Sequence, residues 1–305
     1  MKKELIAFNA PKSPISEIFR TLRTNIQFMN TKKNTKTILI TSTYASEGKS
    51  WVSSNLAVTF AQTGKKVLLI DADMRKGRQY NIFRIAPKPG LSNYLSGISL
   101  NDNGKASENV SEYIQRTEVE NLYVIAAGNI PPNPAELLIS APMVNLLEEV
   151  KDIFDVVIVD GTPIQLVTDS LILARMVDST IIVTACEETK REDLKRVVTS
   201  IQNVGGKISG VVFNKVPVSA KQYEQTYYYG STSMEVSKEN KRRDSREHHK
   251  NTDVVTNDAS KVKREEQYLK EDKTSRVEEN PHEFTEKTND ILKQINEYLN
   301  NKKEN

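Results

Sequence analysis

Cysteine is nearly absent: the 305 residues hold one, Cys186. A single thiol excludes a disulfide framework and fits a reducing compartment. It lies in the apolar run I-I-V-T-A-C, where a small buried residue is expected. Long hydrophobic stretches are missing too. The N-terminus, M-K-K-E-L-I-A-F-N-A-P-K, has no apolar run of signal-peptide length, and no window approaches a membrane span. The expected location is cytoplasmic, with recruitment to the inner face of the membrane only through a partner. Charge of one sign is not in excess. Lys and Arg number 43 against 40 Asp and Glu, leaving a formal net charge of +3. That balance gives no argument for nucleic acid as a partner. With 37% hydrophobic and 27% charged residues, one part of the chain can build a core while another must stay polar.

What is present centres on residues 38–53, I-L-I-T-S-T-Y-A-S-E-G-K-S-W-V-S. An apolar β run ends at Thr41, a short polar loop follows, and a helical pattern begins at Gly48-Lys49-Ser50. This is the strand–loop–helix setting of a phosphate-binding loop. Gly48 lets the backbone approach an anion, and the first helix amides point at it. Ser46, Glu47, Gly48 and Trp51 complete the expected nucleotide contacts. Lys49 is expected on the β- and γ-phosphates, and the Ser50 hydroxyl on Mg²⁺. The first glycine of the full motif is replaced by Thr43.

Around this loop the pattern alternates. Strands are predicted over 37–41, 67–70, 122–126, 156–159, 180–185 and 208–213. Helices are predicted over 50–63, closed by Gly64, and over 134–150, 168–177 and 193–203. Continuous apolar strands alternating with helices predict an α/β fold, a parallel sheet covered on both faces in the manner of P-loop NTPases. Its ligands belong beyond the carboxyl ends of the strands. Lys49, Asp71, Asp73 and Asp160 all fall at those ends. Three converging carboxylates beside a Gly-Lys-Ser loop suit Mg²⁺, which prefers oxygen ligands and keeps waters. Arg75 and Lys76 follow at once and could steady phosphate charge.

Upstream, residues 13–30 read as an amphipathic helix capped by Ser13, with Pro14 at its first turn. Ile15, Phe19, Leu22 and Ile26 form its apolar stripe. Glu17, Arg20 and Arg23 lie off it, either as a solvated face with a local Glu17–Arg20 pair or as a subunit contact. Downstream, residues 219–230 hold Tyr223, Tyr227, Tyr228 and Tyr229. Residues 231–305 are too polar to offset their ordering entropy, so a disordered tail is predicted, with a weak helical pattern over 283–299. The division is 1–35, an N-terminal helix; 36–218, a nucleotide-binding domain; 219–230, the tyrosine cluster; and 231–305, the tail.

The segments T-S-x-x-x-S-E-G-K-S, V-L-L-I-D-A-D-M-R-K, I-P-P-N-P-A-E-L-L and V-V-I-V-D-G-T-P resemble the cytoplasmic bacterial tyrosine kinases of capsule and exopolysaccharide synthesis. The resemblance spans about residues 12–230, with Glu17-x-x-Arg20-x-x-Arg23 at one end and the tyrosine cluster at the other. It implies ATP and Mg²⁺ as cofactors, Asp71 as the base for a tyrosine hydroxyl, and Asp73 and Asp160 as organisers of Mg²⁺. It implies autophosphorylation of Tyr223, Tyr227, Tyr228 and Tyr229, and a ring-like homo-oligomer built partly on Glu17, Arg20 and Arg23. It also implies a transmembrane modulator that activates the kinase, with a tyrosine phosphatase and protein substrates as further partners. This chain departs from the family's usual pattern in three places: Ser46 stands for Gly, Gly77 for Pro, and Gly161-Thr162-Pro163 for Thr-Pro-Pro. Two rivals share the loop. A Min/Par-type partition ATPase would carry a second lysine where Tyr44 stands. A non-catalytic nucleotide-sensing scaffold would not need Lys49 and three aspartates.

Overall fold

The computed structural model describes residues 4–29, 35–97 and 109–217. The tyrosine cluster, the polar tail and the helical pattern over 283–299 lie outside them.

Two short-spaced helices open the described chain, α1 (Ile6–Asn9) and α2 (Pro14–Met29). The alternating units follow: β1 (Thr37–Ser42), α3 (Lys49–Ala61), β2 (Val67–Asp71), α4 (Gln79–Phe83), α5 (Leu91–Ser96), β3 (Gln115–Arg116) and β4 (Leu122–Ile125). Then come α6 (Pro134–Ile139), α7 (Ala141–Ile153), β5 (Val156–Pro163), α8 (Asp169–Met176), β6 (Ser179–Ala185), α9 (Arg191–Asn203) and β7 (Ile208–Asn214). Among the described residues the strands form one sheet in the order β3-β4-β2-β5-β1-β6-β7. Every pairing is parallel except the short β3–β4 edge. The expected doubly covered parallel sheet is therefore present.

The six residues of β1 and the five of β2 are all buried. Alternation sorts them onto two faces. Leu39, Leu68, Ile70, Val157 and Val159 pack with Leu146, Leu173 and Val197 from α7, α8 and α9. Ile38, Ile40, Leu69 and Ile158 pack on the other side with Leu56 and Phe60 of α3 and with Phe19 and Ile26 of α2. Truncating a side chain as buried as Phe60 would cost about 3–5 kcal/mol.

Helix α3 has no polar face, and its residues from Ser50 to Ala61 are buried apart from Trp51, which is partly so. A helix buried all round must be covered on both sides. The sheet covers one side, and α1 and α2 cover the other. The stripe of Phe19 and Ile26 is thus used inside the chain, and Leu5 and Ala7 of the first turns are fully buried with it. Ser13 caps α2 as expected, its Oγ accepting from the Ser16 amide at 3.2 Å.

The single helix predicted over 134–150 is two, broken at Ser140, whose ψ of 156° is extended. Pro142 has no amide to bond the carbonyl four residues back, and its ring clashes with that carbonyl, so one helix cannot run through it; it sits instead in the first turn of α7. Cys186 is only partly buried, because it follows β6 rather than lying within it. Among the described residues no helix is long and apolar enough to cross a membrane.

Candidate functional site

The carboxyl ends of β1, β2 and β5 meet beside the N-terminus of α3. Gly48 caps α3 with φ +95°, a left-handed conformation that glycine adopts without strain. A Cβ there would also collide with the Asn214 side chain at the end of β7. Ser46 is left-handed as well, with φ +67°. A residue with a Cβ is strained there, roughly 1–2 kcal/mol, which gives a physical reason for glycine at this place.

The loop is tied down on its outer side. Glu47 is buried, and its carboxylate turns away from the cavity. It accepts from the Tyr44 amide at 2.8 Å, from the Ala185 amide at 3.3 Å and from the Thr189 hydroxyl. Asn214 Nδ2 donates to the Glu47 carbonyl at 2.8 Å. The expected contact of Glu47 with nucleotide is therefore limited to its backbone. Tyr44 donates its hydroxyl to Asp193 of α9, which raises its pKa; the second lysine of the partition ATPases has no counterpart here.

The loop opens onto a cavity of about 350 Å³ lined by Ser46, Gly48, Lys49, Ser50, Trp51, Asp73, Arg75 and Thr162 among others. Lys49 Nζ lies 2.9 Å from Asp73 Oδ2 and 3.9 Å from Asp160 Oδ1. It is also 3.3 Å from Ser50 Oγ. Burial works against the Lys49 charge, but Asp160 and Asp73 outweigh it and hold its pKa above the ordinary value. The ammonium offsets the negative charge of the two carboxylates it faces.

Asp71 lies deeper. It is fully buried, with Oδ2 accepting from the Gln79 amide at 2.9 Å. Burial, then repulsion from Asp160, push its pKa up to about 8, against the pull of the Gln79 amide and Lys49. Once ionised, a carboxylate in such surroundings is a stronger base than a surface aspartate. Gly77 makes room for it: a Cβ there would stand 2.9 Å from Asp71 Oδ2 and 2.5 Å from Ala127 Cβ.

Asp71 Oδ1 and Asp160 Oδ1 are buried without a hydrogen-bond donor. These unmet oxygens, with the Ser50 hydroxyl, fit an oxygen-liganded cation such as Mg²⁺. Among the described residues no group of three His, Cys, Asp or Glu is placed to hold a metal by itself. Phosphate oxygens and water would have to complete the set.

Arg75 does not reach into the cavity centre. Its guanidinium is held by Asp169 at 2.8 and 3.0 Å, a bidentate pair. Trp51 packs edge-on against Phe19 at 5.0 Å. On α2, Arg20 pairs with Glu17 at 2.7 Å, the local pair expected, and donates to the Pro11 carbonyl. Arg23 donates to the Thr59 carbonyl of α3 at 3.1 Å.

Sequence reasoning passed over Gln79. It is fully buried, and its Nε2 lies 2.7 Å from Asp160 Oδ2 and 3.1 Å from both the Ser50 carbonyl and Ser53 Oγ. One residue therefore spans Asp71, Asp160 and the first turn of α3. Asp169 and Asn214 were also unmarked; nothing in their local pattern separates them from ordinary turn residues. The I-P-P-N-P segment lines a separate cavity of about 340 Å³ with Ser92 and Asn93.

Residues 35–211 match the family described as AAA domain. A protein of Staphylococcus aureus called putative tyrosine-protein kinase CapB is 39% identical over 226 residues, 74% of this chain and 95% of that protein. Tyrosine-protein kinase YwqD of Bacillus subtilis is 37% identical, over 76% of this chain and 93% of its own. Among solved structures, the chimerical protein CapA2B2 superposes with a TM-score of 0.65 at 36% identity, covering 72% of this chain and 92% of that one. The kinase domain of Escherichia coli tyrosine kinase ETK gives 0.64 at 31% identity, covering 70% and 82%.

Proposed function

The chain belongs to the family of bacterial tyrosine-protein kinases, and from that membership we propose how its own residues carry out the transfer. The reaction moves the γ-phosphoryl group of ATP to a tyrosine hydroxyl. The observation that carries this reading is the placement of Lys49 between Asp73 and Asp160, at a phosphate-type loop and next to the buried Asp71.

Bound Mg²⁺ would supply charge neutralisation on the phosphate oxygens. Ser50, Asp73 and Asp160 are the residues to hold it. Lys49, which lines the cavity 2.9 Å from Asp73, would face the phosphate oxygens. Its charge then stabilises the group in flight. The amides from Ser46 to Ser50 cradle the nucleotide at the start of α3, where the helix dipole favours anions. Asp71 accepts the proton of the tyrosine hydroxyl. The tyrosine oxygen bonds to the γ-phosphorus, the bond to the β–γ bridging oxygen breaks, and ADP leaves.

The acceptors are Tyr223, Tyr227, Tyr228 and Tyr229 of a neighbouring copy in a ring. Glu17, Arg20 and Arg23 form part of the contact. Their positions on α2 are steadied from within, by the Glu17–Arg20 pair and by Arg23 on Thr59. A transmembrane modulator recruits and activates the kinase at the cytoplasmic face of the membrane. A phosphatase resets it, and capsule or exopolysaccharide synthesis is the process it serves. Relatives from capsule regions, such as one of Klebsiella pneumoniae described as in the cps region, support that setting.

The test is a mixture. Full-length Lys49→Met chain, tagged to differ in mass, is incubated with the active chain and ATP–Mg²⁺. Phosphotyrosine on the inactive chain is the expected result. An inactive chain left unmodified beside a phosphorylated partner would overturn transfer between copies. No phosphotyrosine on either chain, even with a modulator fragment present, would overturn the kinase assignment.

A further inference from the structure

The cavity has more positive charge at its mouth than a nucleotide calls for. Lys49 and the amides at the start of α3 already face the phosphates. Three further cations, Arg75, Lys76 and Arg78, line the same cavity from a different crossover, the one between β2 and α4. Arg75 is committed to Asp169 by two hydrogen bonds. Lys76 is exposed, and among the described residues its ammonium makes no hydrogen bond or ion pair. Arg78 is 59% exposed, and among the described residues its guanidinium pairs with Glu4 at 3.1 Å, itself 37% exposed. An exposed pair of that kind is worth little and exchanges readily.

These two cations are fixed relative to the chemistry by the backbone. The Lys76 amide donates to Asp73 Oδ1 at 2.9 Å. The Gln79 amide, next to Arg78, donates to Asp71 Oδ2 at 2.9 Å. The rim charges thus stand at, or one residue from, the amides that hold the expected metal organiser and the expected base. Pro163, Leu166 and Val167 form an apolar part of the lining, and Leu166 is 60% exposed. An aromatic ring entering here would find an apolar surface, and the residues beside it would find Lys76 and Arg78.

We propose that Lys76 and Arg78 form an anion-reading subsite that takes a carboxylate or phosphate on the residue flanking the acceptor tyrosine. The proposal rests on the tyrosine-kinase reading of the same cavity and names the substrate class it prefers. Without such cations an anionic flank would be repelled by Asp71, Asp73 and Asp160. The chain's own acceptors have this character. Tyr223 is followed by Glu224, and Tyr227, Tyr228 and Tyr229 are contiguous. Each phosphate brings nearly two negative charges, so modifying one tyrosine makes its neighbour a better ligand. Phosphorylation of the run then reinforces itself.

The experiment uses the full chain with Mg²⁺ and a non-hydrolysable ATP analogue, so that binding is read apart from turnover. The probes are fluorescent peptides of residues 219–230 that keep Tyr228 and carry Phe at 223 and 229. Position 227 is glutamate, phosphotyrosine, glutamine or lysine. The glutamate and phosphotyrosine peptides should bind tighter than the glutamine peptide, the latter roughly tenfold, with the gap narrowing at high salt. Lys76→Glu with Arg78→Glu should make the lysine peptide the best ligand, and any loss of nucleotide affinity should be smaller than the loss for the glutamate peptide. The milder Lys76→Gln with Arg78→Gln should erase the ranking and keeps the test valid if the reversal misfolds. A preference for phosphotyrosine without one for glutamate would restrict the anion to phosphate. Equal affinity for all four peptides, or variants that weaken nucleotide as much as peptide, would overturn the subsite. Phosphorylation of the glutamine peptide by the active chain with ATP–Mg²⁺ tests the kinase reading separately.

Discussion

Gln79 and Asp160 are joined inside the protein, the Gln79 side-chain amide donating to Asp160 Oδ2 at 2.7 Å. Both are fully buried. The bond satisfies half of a carboxylate that cannot reach water, and it aims the other oxygen at Lys49. Gln79→Ala should therefore lower stability by about 1–3 kcal/mol, the penalty for a buried acceptor left unmet. Transfer should fall as well, because Asp160 is no longer aimed. Urea denaturation and a phosphotyrosine time course would measure the two effects. A variant with unchanged midpoint and rate would show that the bond positions nothing.

Lys49→Met should cut transfer by at least about 10²–10³-fold, the scale of losing one preorganised charge at the reacting group. It should also destabilise the fold. Lys49 and Asp73 side chains are only 12% and 8% exposed, and removing one partner of a buried pair leaves the other uncompensated, at about 3–5 kcal/mol. Lys49→Arg keeps the pair and should recover most of the denaturation midpoint without recovering the rate.

Asp71→Asn should separate binding from chemistry. Transfer falls by roughly 10²–10⁴-fold, since a proton acceptor is gone. Nucleotide affinity, read by fluorescent analogue, is retained. Stability at neutral pH should rise. Burial and Asp160 push the Asp71 pKa up to about 8, so the folded state opposes an ionisation that the unfolded chain completes well below neutrality. If nucleotide affinity collapses with the rate, Asp71 organises the metal and the base lies elsewhere.

Much of this site is legible in the sequence. Gly48, Lys49 and Ser50 announce themselves because a phosphate loop needs those residue types at a fixed spacing between strand and helix. Asp71 and Asp160 stand out because each follows an unbroken apolar run, although β5 continues past Asp160 to Pro163. Gln79, Asp169 and Asn214 were not legible, since each acts through a contact distant in sequence and carries no local pattern. Helix α2 was correctly bounded, but its stripe gave no sign that α3 was the surface it covers. The break at Ser140 was missed because apolar spacing continued smoothly across it, and Pro142 was the signal left unweighed.

At the opposite end of the strands from the site, where β1 and β6 begin, a carboxylate makes the fold sensitive to pH. Asp178 Oδ2 accepts from the Lys36 amide at 3.0 Å and from the Thr37 amide and hydroxyl, each at 2.9 Å. Burial favours its neutral form, but these hydrogen bonds, with Lys151, outweigh it and hold its pKa below the usual carboxylate range. A depressed acid stabilises the fold above its unfolded pKa, and that contribution disappears as pH falls through the folded value. Asp178→Ala should thus melt lower than the natural chain at neutral pH. The difference should close in acid, below about pH 4. A gap of constant size across that range would show that the carboxylate's charge is not what matters.

Asn214 closes the last strand of the sheet and presses its amide against Gly48 and the Glu47 carbonyl. Every residue that follows in the sequence, the tyrosine cluster included, is joined to the sheet through this one. The grip on nucleotide and the root of the tail are therefore a single joint. A displacement of Asn214 bears directly on the back wall of the phosphate loop, and Lys215, paired with Glu188 at 2.8 Å, is the first tether beyond it.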